Sequence, residues 1–202
     1  LPIDVLIVTI VIDSLLERHN LQQKLEKLNM VIGAFYSGIG TELLRTFAAA
    51  DCTLAFMEPD LLVDSTWDKA AFKVHKKRAR EFEYKVESGM VDLVALREVL
   101  VRHEDFLLRI LENPVMLEHE SFSNVLRAVF HLTEELKSRE NLQETPPSDR
   151  SHLGGDITRA YSLMTLSWLD YMQYLQSDYP YLFSLAIRIN PFSLTHDACV
   201  RE

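Results

Sequence analysis

Glycine and proline are scarce in this chain of 202 residues, 6 and 7 respectively, about half the usual share. That excludes collagen-like repeats and Pro/Gly-rich disorder, and it disfavours a turn-rich all-β fold. Cysteine is nearly missing: Cys52 and Cys199 stand far apart with no CxxC and no Cys/His spacing. Neither a disulfide scaffold nor a zinc finger is encoded, and a reducing compartment fits. Positive charge is outweighed, since 30 Asp+Glu against 21 Lys+Arg give a net charge of -9, a poor balance for a nucleic-acid binder. A long hydrophobic run is lacking as well. Residues 3–12 are apolar except at Asp4 and Thr9, half of the roughly 20 residues a bilayer span requires.

What is present is helical periodicity. A chain of this length buries roughly 70% of its unfolded surface as one domain without metal or disulfide staples. From residue 5 to about 50 there is no proline, and Leu21, Leu25, Leu28, Ile32, Phe35 and Ile39 are spaced alternately 4 and 3 apart, the seam of a helix packed on a partner helix. This segment reads as one long helix or two in line. Gly33, Ala34, Ser37, Gly38 and Gly40 form a small-residue face, and because glycine costs about 1 kcal/mol inside a helix, close approach of another backbone is the expected compensation. Leu21, Leu25, Leu28, Ile32, Gly33, Ser37 and Gly40 are therefore the expected self-association residues.

Glu58-Pro59-Asp60 breaks the chain, and Ser65 with Asp68 three places on signals a helix start over residues 66–87. Ser88-Gly89 stops it. A helix over 90–112 carries Leu93, Leu96, Leu100, His103, Leu107 and Ile110 on one stripe and ends at Asn113-Pro114,. A helix over 121–139 gives way to the polar, proline-bearing stretch 141–148, the clearest loop in the chain,. A last long helix over 149–177 and a short one from Pro180 to about Arg188 follow, with proline at its favoured first position. The spacing predicts an all-α bundle of about five or six helices, with a long N-terminal and a short C-terminal helix.

The blocks LEKLNMVIGAFYSGIGTELL (25–44), FLLRILENP (106–114), AVFHLTEEL (128–136) and YPYLFSLAIRINPF (179–192) resemble those of a family of uncharacterised prokaryotic membrane proteins. The resemblance spans most of the chain. It implies hydrophobic membrane helices just upstream of residues 3–16 and a helical cytoplasmic part after them, and it brings no activity and no catalytic residues. The order of charges agrees with that expectation. The chain opens on Leu1, and Arg18, Lys24 and Lys27 follow the apolar run as they do at the cytoplasmic end of a membrane helix. Residues 1–20 are expected to end a membrane-anchoring helix, 21–192 to form a helical cytoplasmic domain, and 193–202 a C-terminal tail.

Four constellations bear on chemistry. Glu118 and His119 precede a helix bearing His131 and Glu134, while His152 and Asp156 open the next. Helical proteins hold metals with carboxylates and histidines from neighbouring helices, so Glu118, His119, His131 and Glu134 form the candidate metal set. The competing reading is a solvated polar face, since the order is HxxE and no second such motif supplies an opposite pair. Lys73, Lys76, Lys77, Arg78 and Arg80 form a basic helix able to meet anionic lipid or phosphate, against the alternative of internal pairs such as Lys77 with Glu81. His103 reads as a core histidine or a titrating switch. The aromatic residues Trp168, Tyr171, Tyr174, Tyr179, Tyr181, Phe183 and Phe192 read as core more than as a ligand pocket. Cys52 and Ser184 sit in no nucleophile motif,.

The expected function is thus a membrane-anchored, non-catalytic helical interaction or signalling module. Its partners would be the membrane and a second copy of the chain, with no nucleic acid and no cofactor required. A metal-binding helical protein and a soluble helical regulator are the alternatives.

Overall fold

The computed structural model describes the backbone of residues 3–193, and the side chains of all of these except 3–6, 117 and 118. Its α-helices are α1 (Ile3–Phe35), α2 (Thr41–Ala49), α3 (Leu54–Met57), α4 (Lys69–Glu81), α5 (Leu93–Arg102), α6 (Glu104–Leu111), α7 (Glu120–Lys137), α8 (Pro147–Asp178) and α9 (Pro180–Arg188). No strand occurs among the described residues, only one isolated antiparallel bridge between Asp51 and Val86. The all-α expectation holds. The expected tail lies, apart from Ser193, outside the described residues, as does Cys199.

The axis of the bundle is α8, against which α7, α4, α9, α2 and α1 all pack. Its side chains Leu153, Ile157, Tyr161, Met164, Trp168 and Met172 are buried because they recur at helical spacing along more than one face, as befits a helix surrounded by others. The expected long N-terminal helix runs through α1 and α2 with a single π-helical turn, Tyr36–Gly40, between them. A π-turn inserts one residue into the helical register. Here it turns Tyr36, Ile39 and Gly40 inward together, and the Tyr36 hydroxyl donates to the Met164 carbonyl of α8 at 2.7 Å.

The seam assigned to self-association is divided by this packing. Leu28, Ile32 and Gly40 are buried in the chain's own core, whereas Leu21, Leu25 and Ser37 remain exposed. Two of the small residues admit aromatic rings from within the chain: a Cβ on Gly33 would lie 3.1 Å from the Tyr171 hydroxyl, and one on Gly38 would lie 2.9 Å from Phe106. The 4-3 spacing correctly marks a packed helix. Periodicity alone does not say whether the partner belongs to the same molecule.

Two other helices differ from the sequence reading. α4 begins only after Asp68, whose carboxylate caps it by accepting from the Ala71 N–H at 2.7 Å, and it ends at Glu81. Beyond it the backbone becomes extended: Cys52 N donates to Lys85 O, Glu87 N to Ala50 O, and Val86 N to the Thr158 hydroxyl. Those tertiary bonds replace the last helical turn. The helix expected over 90–112 is broken at His103, where α5 and α6 meet, and the His103 Nδ1 donates to Val99 O at 2.9 Å. His103 is thus paired with a backbone carbonyl.

Candidate functional site

A polar seam between helices lies on the α7–α8 hairpin. Arg139, just after α7, forks onto Asp149 at the start of α8, with Nε to Oδ2 at 2.7 Å and Nη2 to Oδ1, and its Nη1 also reaches Glu135 Oε2 at 2.8 Å. A bidentate guanidinium–carboxylate pair is among the more directional charged contacts. This one closes the loop and sets the register of the two helices. Hydrogen bonding from Arg139 holds the Glu135 and Asp149 carboxyls below the usual carboxylate range.

With that register, two side chains of α7 spaced i, i+4 face two of α8 with the same spacing. His131 Nε2 lies 3.5 Å from Asp156 Oδ2 and 3.8 Å from Glu135 Oε1. His152 Nε2 lies 3.4 Å from Asp156 Oδ2 and 3.6 Å from Glu135 Oε2. Arg159 donates to Asp156 Oδ1 at 3.1 Å. Asp156 is 8% exposed, and its Oδ2 is buried without a hydrogen-bond partner. Both histidines are open to solvent.

This grouping differs from the set drawn from the sequence. His131 belongs to it, but Glu134 turns toward α6, where Lys137 binds both Glu134 and Glu104. His119 is half-buried before α7, and the side chain of Glu118 is outside the described ones. Glu135 was missed, although its i+4 spacing from His131 was the available signal, repeated by His152 and Asp156. One turn of helix separates i from i+4 more nearly face to face than i from i+3.

The basic residues of α4 divide in the same way. Lys69, Lys73, Lys76, Lys77 and Arg80 line a shallow groove with Gln173 of α8. Lys76 binds Asp170 and Gln173, each at 2.7 Å, and Lys77 lies 3.9 Å from Glu81. Arg78 lies outside that groove and pairs with Asp60 at 3.0 Å. Asp60 also meets His75 Nδ1 at 2.6 Å, and the His75 ring stacks on Trp67 with centroids 3.9 Å apart. Arg78 thus belongs to a structural knot tying α4 to the preceding loop. Of the aromatic cluster, Trp168, Phe183 and Phe192 are core and Tyr181 is 92% exposed. A cavity of about 180 Å³ opens among Tyr36, Trp168, Tyr171, Leu182, Leu185 and Ile189.

The N-terminal half of α1 stands apart from all of this. Every described side chain from residue 7 to 26 is exposed, among them Ile7, Val8, Ile10, Val11, Ile12, Leu15 and Leu16 at 49–58%. At about 100° per residue these spread over about two thirds of the circumference, with Ser14 among them, and Thr9, Asp13 and Glu17 occupy the remaining third. No helix among the described residues is long and apolar enough to cross a membrane.

Architecture and surface together define an all-α protein with an apolar N-terminal stem and a histidine–carboxylate cluster on its main hairpin. The chain belongs to the family described as "Uncharacterized protein MJ1433, C-terminal helical domain", whose model matches residues 24–188. It is similar to "Uncharacterized protein MJ1433" of Methanocaldococcus jannaschii, 41% identical over 191 residues that make up 95% of this chain and 76% of that protein. No solved structure matches the chain.

Proposed function

We propose that the protein is a non-catalytic helical module held at a membrane by its N-terminal stem, its body presenting helical surfaces to a partner on the cytoplasmic side. The observation that carries this reading is the exposure of the α1 apolar side chains over about two thirds of the helix circumference,. A helix apolar around most of its circumference belongs in an apolar surrounding, and the body of this chain supplies none to residues 7–26. From Ile7 to Leu16 the helix rises about 15 Å, half of a hydrocarbon core about 30 Å thick, which suits the end of a membrane segment or one lying along the interface. Arg18, Lys24 and Lys27 follow at the position where cationic side chains meet anionic headgroups. The groove of Lys69, Lys73, Lys77 and Arg80 offers a further headgroup contact. Leu21 and Leu25, the exposed part of the predicted seam, are the positions through which two copies would pair.

The test is alkaline carbonate extraction of the complete gene product from its native membranes. Retention in the pellet is expected. Release into the supernatant, with the protein sedimenting as a dimer or larger oligomer, would transfer the apolar stem to self-association and end the membrane reading.

A further inference from the structure

The ring formed by His131, Glu135, His152 and Asp156 has dimensions that differ from those of ordinary hydrogen bonding. Each histidine Nε2 faces both carboxylates, at 3.4–3.8 Å, longer than the 2.7–3.2 Å of a hydrogen bond. Four donors bound tetrahedrally to one cation at about 2.0–2.1 Å stand about 3.3 Å from one another. Three of the recorded separations, His131 Nε2 to Glu135 Oε1 and each Nε2 to Asp156 Oδ2, are close to that edge length, while the fourth runs from His152 to the other oxygen of Glu135. His131, Glu135 and Asp156 already place one donor atom apiece within 4.8 Å of one another.

The surroundings orient these donors as an outer shell does. Arg139 occupies Glu135 Oε2, leaving Oε1 toward His131, and Arg159 occupies Asp156 Oδ1, leaving Oδ2 toward both histidines. Hydrogen bonds to the far oxygen fix a ligating carboxylate in place. Asp156 Oδ2 is buried, ionisable and without a hydrogen-bond partner, a costly condition for a carboxylate oxygen that a cation relieves. The exposed histidines leave an entry path from solvent.

We infer that the α7–α8 hairpin carries a divalent transition-metal site whose ligands are His131 and His152 through Nε2, Asp156 through Oδ2, and Glu135. Two imidazoles and two carboxylates suit borderline cations such as Zn2+ better than Ca2+ or Mg2+, which take all-oxygen sets. The ligands join α7 and α8 just beyond the loop that Arg139 closes, so the metal clamps the hairpin near its loop end. The site stands independently of the membrane reading.

The experiment is titration of the tag-free, chelator-treated 202-residue chain with Zn2+ by calorimetry, with metal content measured after dialysis. One Zn2+ per chain and a raised thermal midpoint are expected. His131→Ala and Asp156→Asn should each weaken binding by more than about a hundredfold, since loss of a ligand exceeds the ten- to hundred-fold effect of an outer-shell change. His119→Ala and Glu134→Gln should bind as the parent does. Because Asp156 is buried, loss of fold is separated from loss of a ligand by reading His152→Ala, at an exposed position, beside Asp156→Asn with far-UV circular dichroism on both. Substoichiometric binding by the parent overturns the assignment. So does parent-like binding by folded His131→Ala and His152→Ala.

Discussion

Alanine at two glycines separates a helix that has room from a turn that has none. In a helix interior Gly→Ala gains about 1 kcal/mol from backbone entropy, and no glycine here has positive φ. At Gly155, in α8, a new Cβ meets nothing within 4 Å, so Gly155→Ala should stabilise the protein by roughly 0.5–1 kcal/mol. At Gly40, closing the π-turn, the Cβ would lie 2.6 Å from Phe35 Cε1 and 2.8 Å from both Phe35 Cδ1 and Tyr36 Cδ1, against a comfortable carbon–carbon distance of about 3.5–4.0 Å. Phe35 has no open space beside it, and Tyr36, although it borders a cavity, is held by its partners. Phe35 is fully buried and packs edge to face on Tyr36 and Phe122, and Tyr36 is stacked on Tyr171 and tethered to Met164 O. Overpacking of this kind costs about 1–3 kcal/mol, which offsets or exceeds the helical gain of about 1 kcal/mol, so Gly40→Ala should be destabilised by up to about 2 kcal/mol where Gly155→Ala is stabilised. Equilibrium urea unfolding of both variants, with an unchanged m value as the check on the reference state, measures the difference. A Gly40→Ala protein stabilised as much as Gly155→Ala would refute the claim that these two rings shape the π-turn.

Three further outcomes follow from the same packing and charge contacts. Tyr36→Phe should cost about 1 kcal/mol, one hydrogen bond with the ring stacking kept, and Tyr36→Ala about 3 kcal/mol or more; equal losses in urea would remove the bond to Met164 from the account. Because Arg139 lowers the folded-state pKa of Glu135 and Asp149, those groups add stability above the ordinary carboxylate range near pH 4 that disappears as pH falls through the lowered values. The urea midpoint of the parent should therefore drop more steeply below about pH 4 than that of Arg139→Met, and parallel curves would contradict this. Deleting residues 1–23, whose described side chains are all exposed, should leave the thermal midpoint within about 3 °C while abolishing flotation with anionic vesicles. A large fall in the midpoint would show that the stem supports the body.

Local chemistry written in the sequence explains the elements that were read correctly. Pro180 opens α9 and the polar stretch before Pro147 separates α7 from α8, because proline and the residues around it restrict the backbone wherever they stand. Apolar spacing likewise marked Leu28, Ile32, Phe35 and Ile39 as one packed face. Long-range bonds decided the rest. The pairing of residues 85–87 with Ala50, Cys52 and Thr158 ended α4 early, and the sequence reading of a helix through residue 87 had no local signal against it. The aromatic rings of Tyr171 and Phe106, more than sixty residues away, filled the space beside Gly33 and Gly38. On α7 and α8 each His/carboxylate pair is legible by its i, i+4 spacing, a property of a single helix. Which oxygen faces which imidazole depends on how far one helix slides along the other, and the Arg139–Asp149 fork and the packed core set that register. Helical periodicity thus specified the class of fold and the inward faces, whereas the choice of partner for each face, and with it the four-residue ring, arose only when the faces packed.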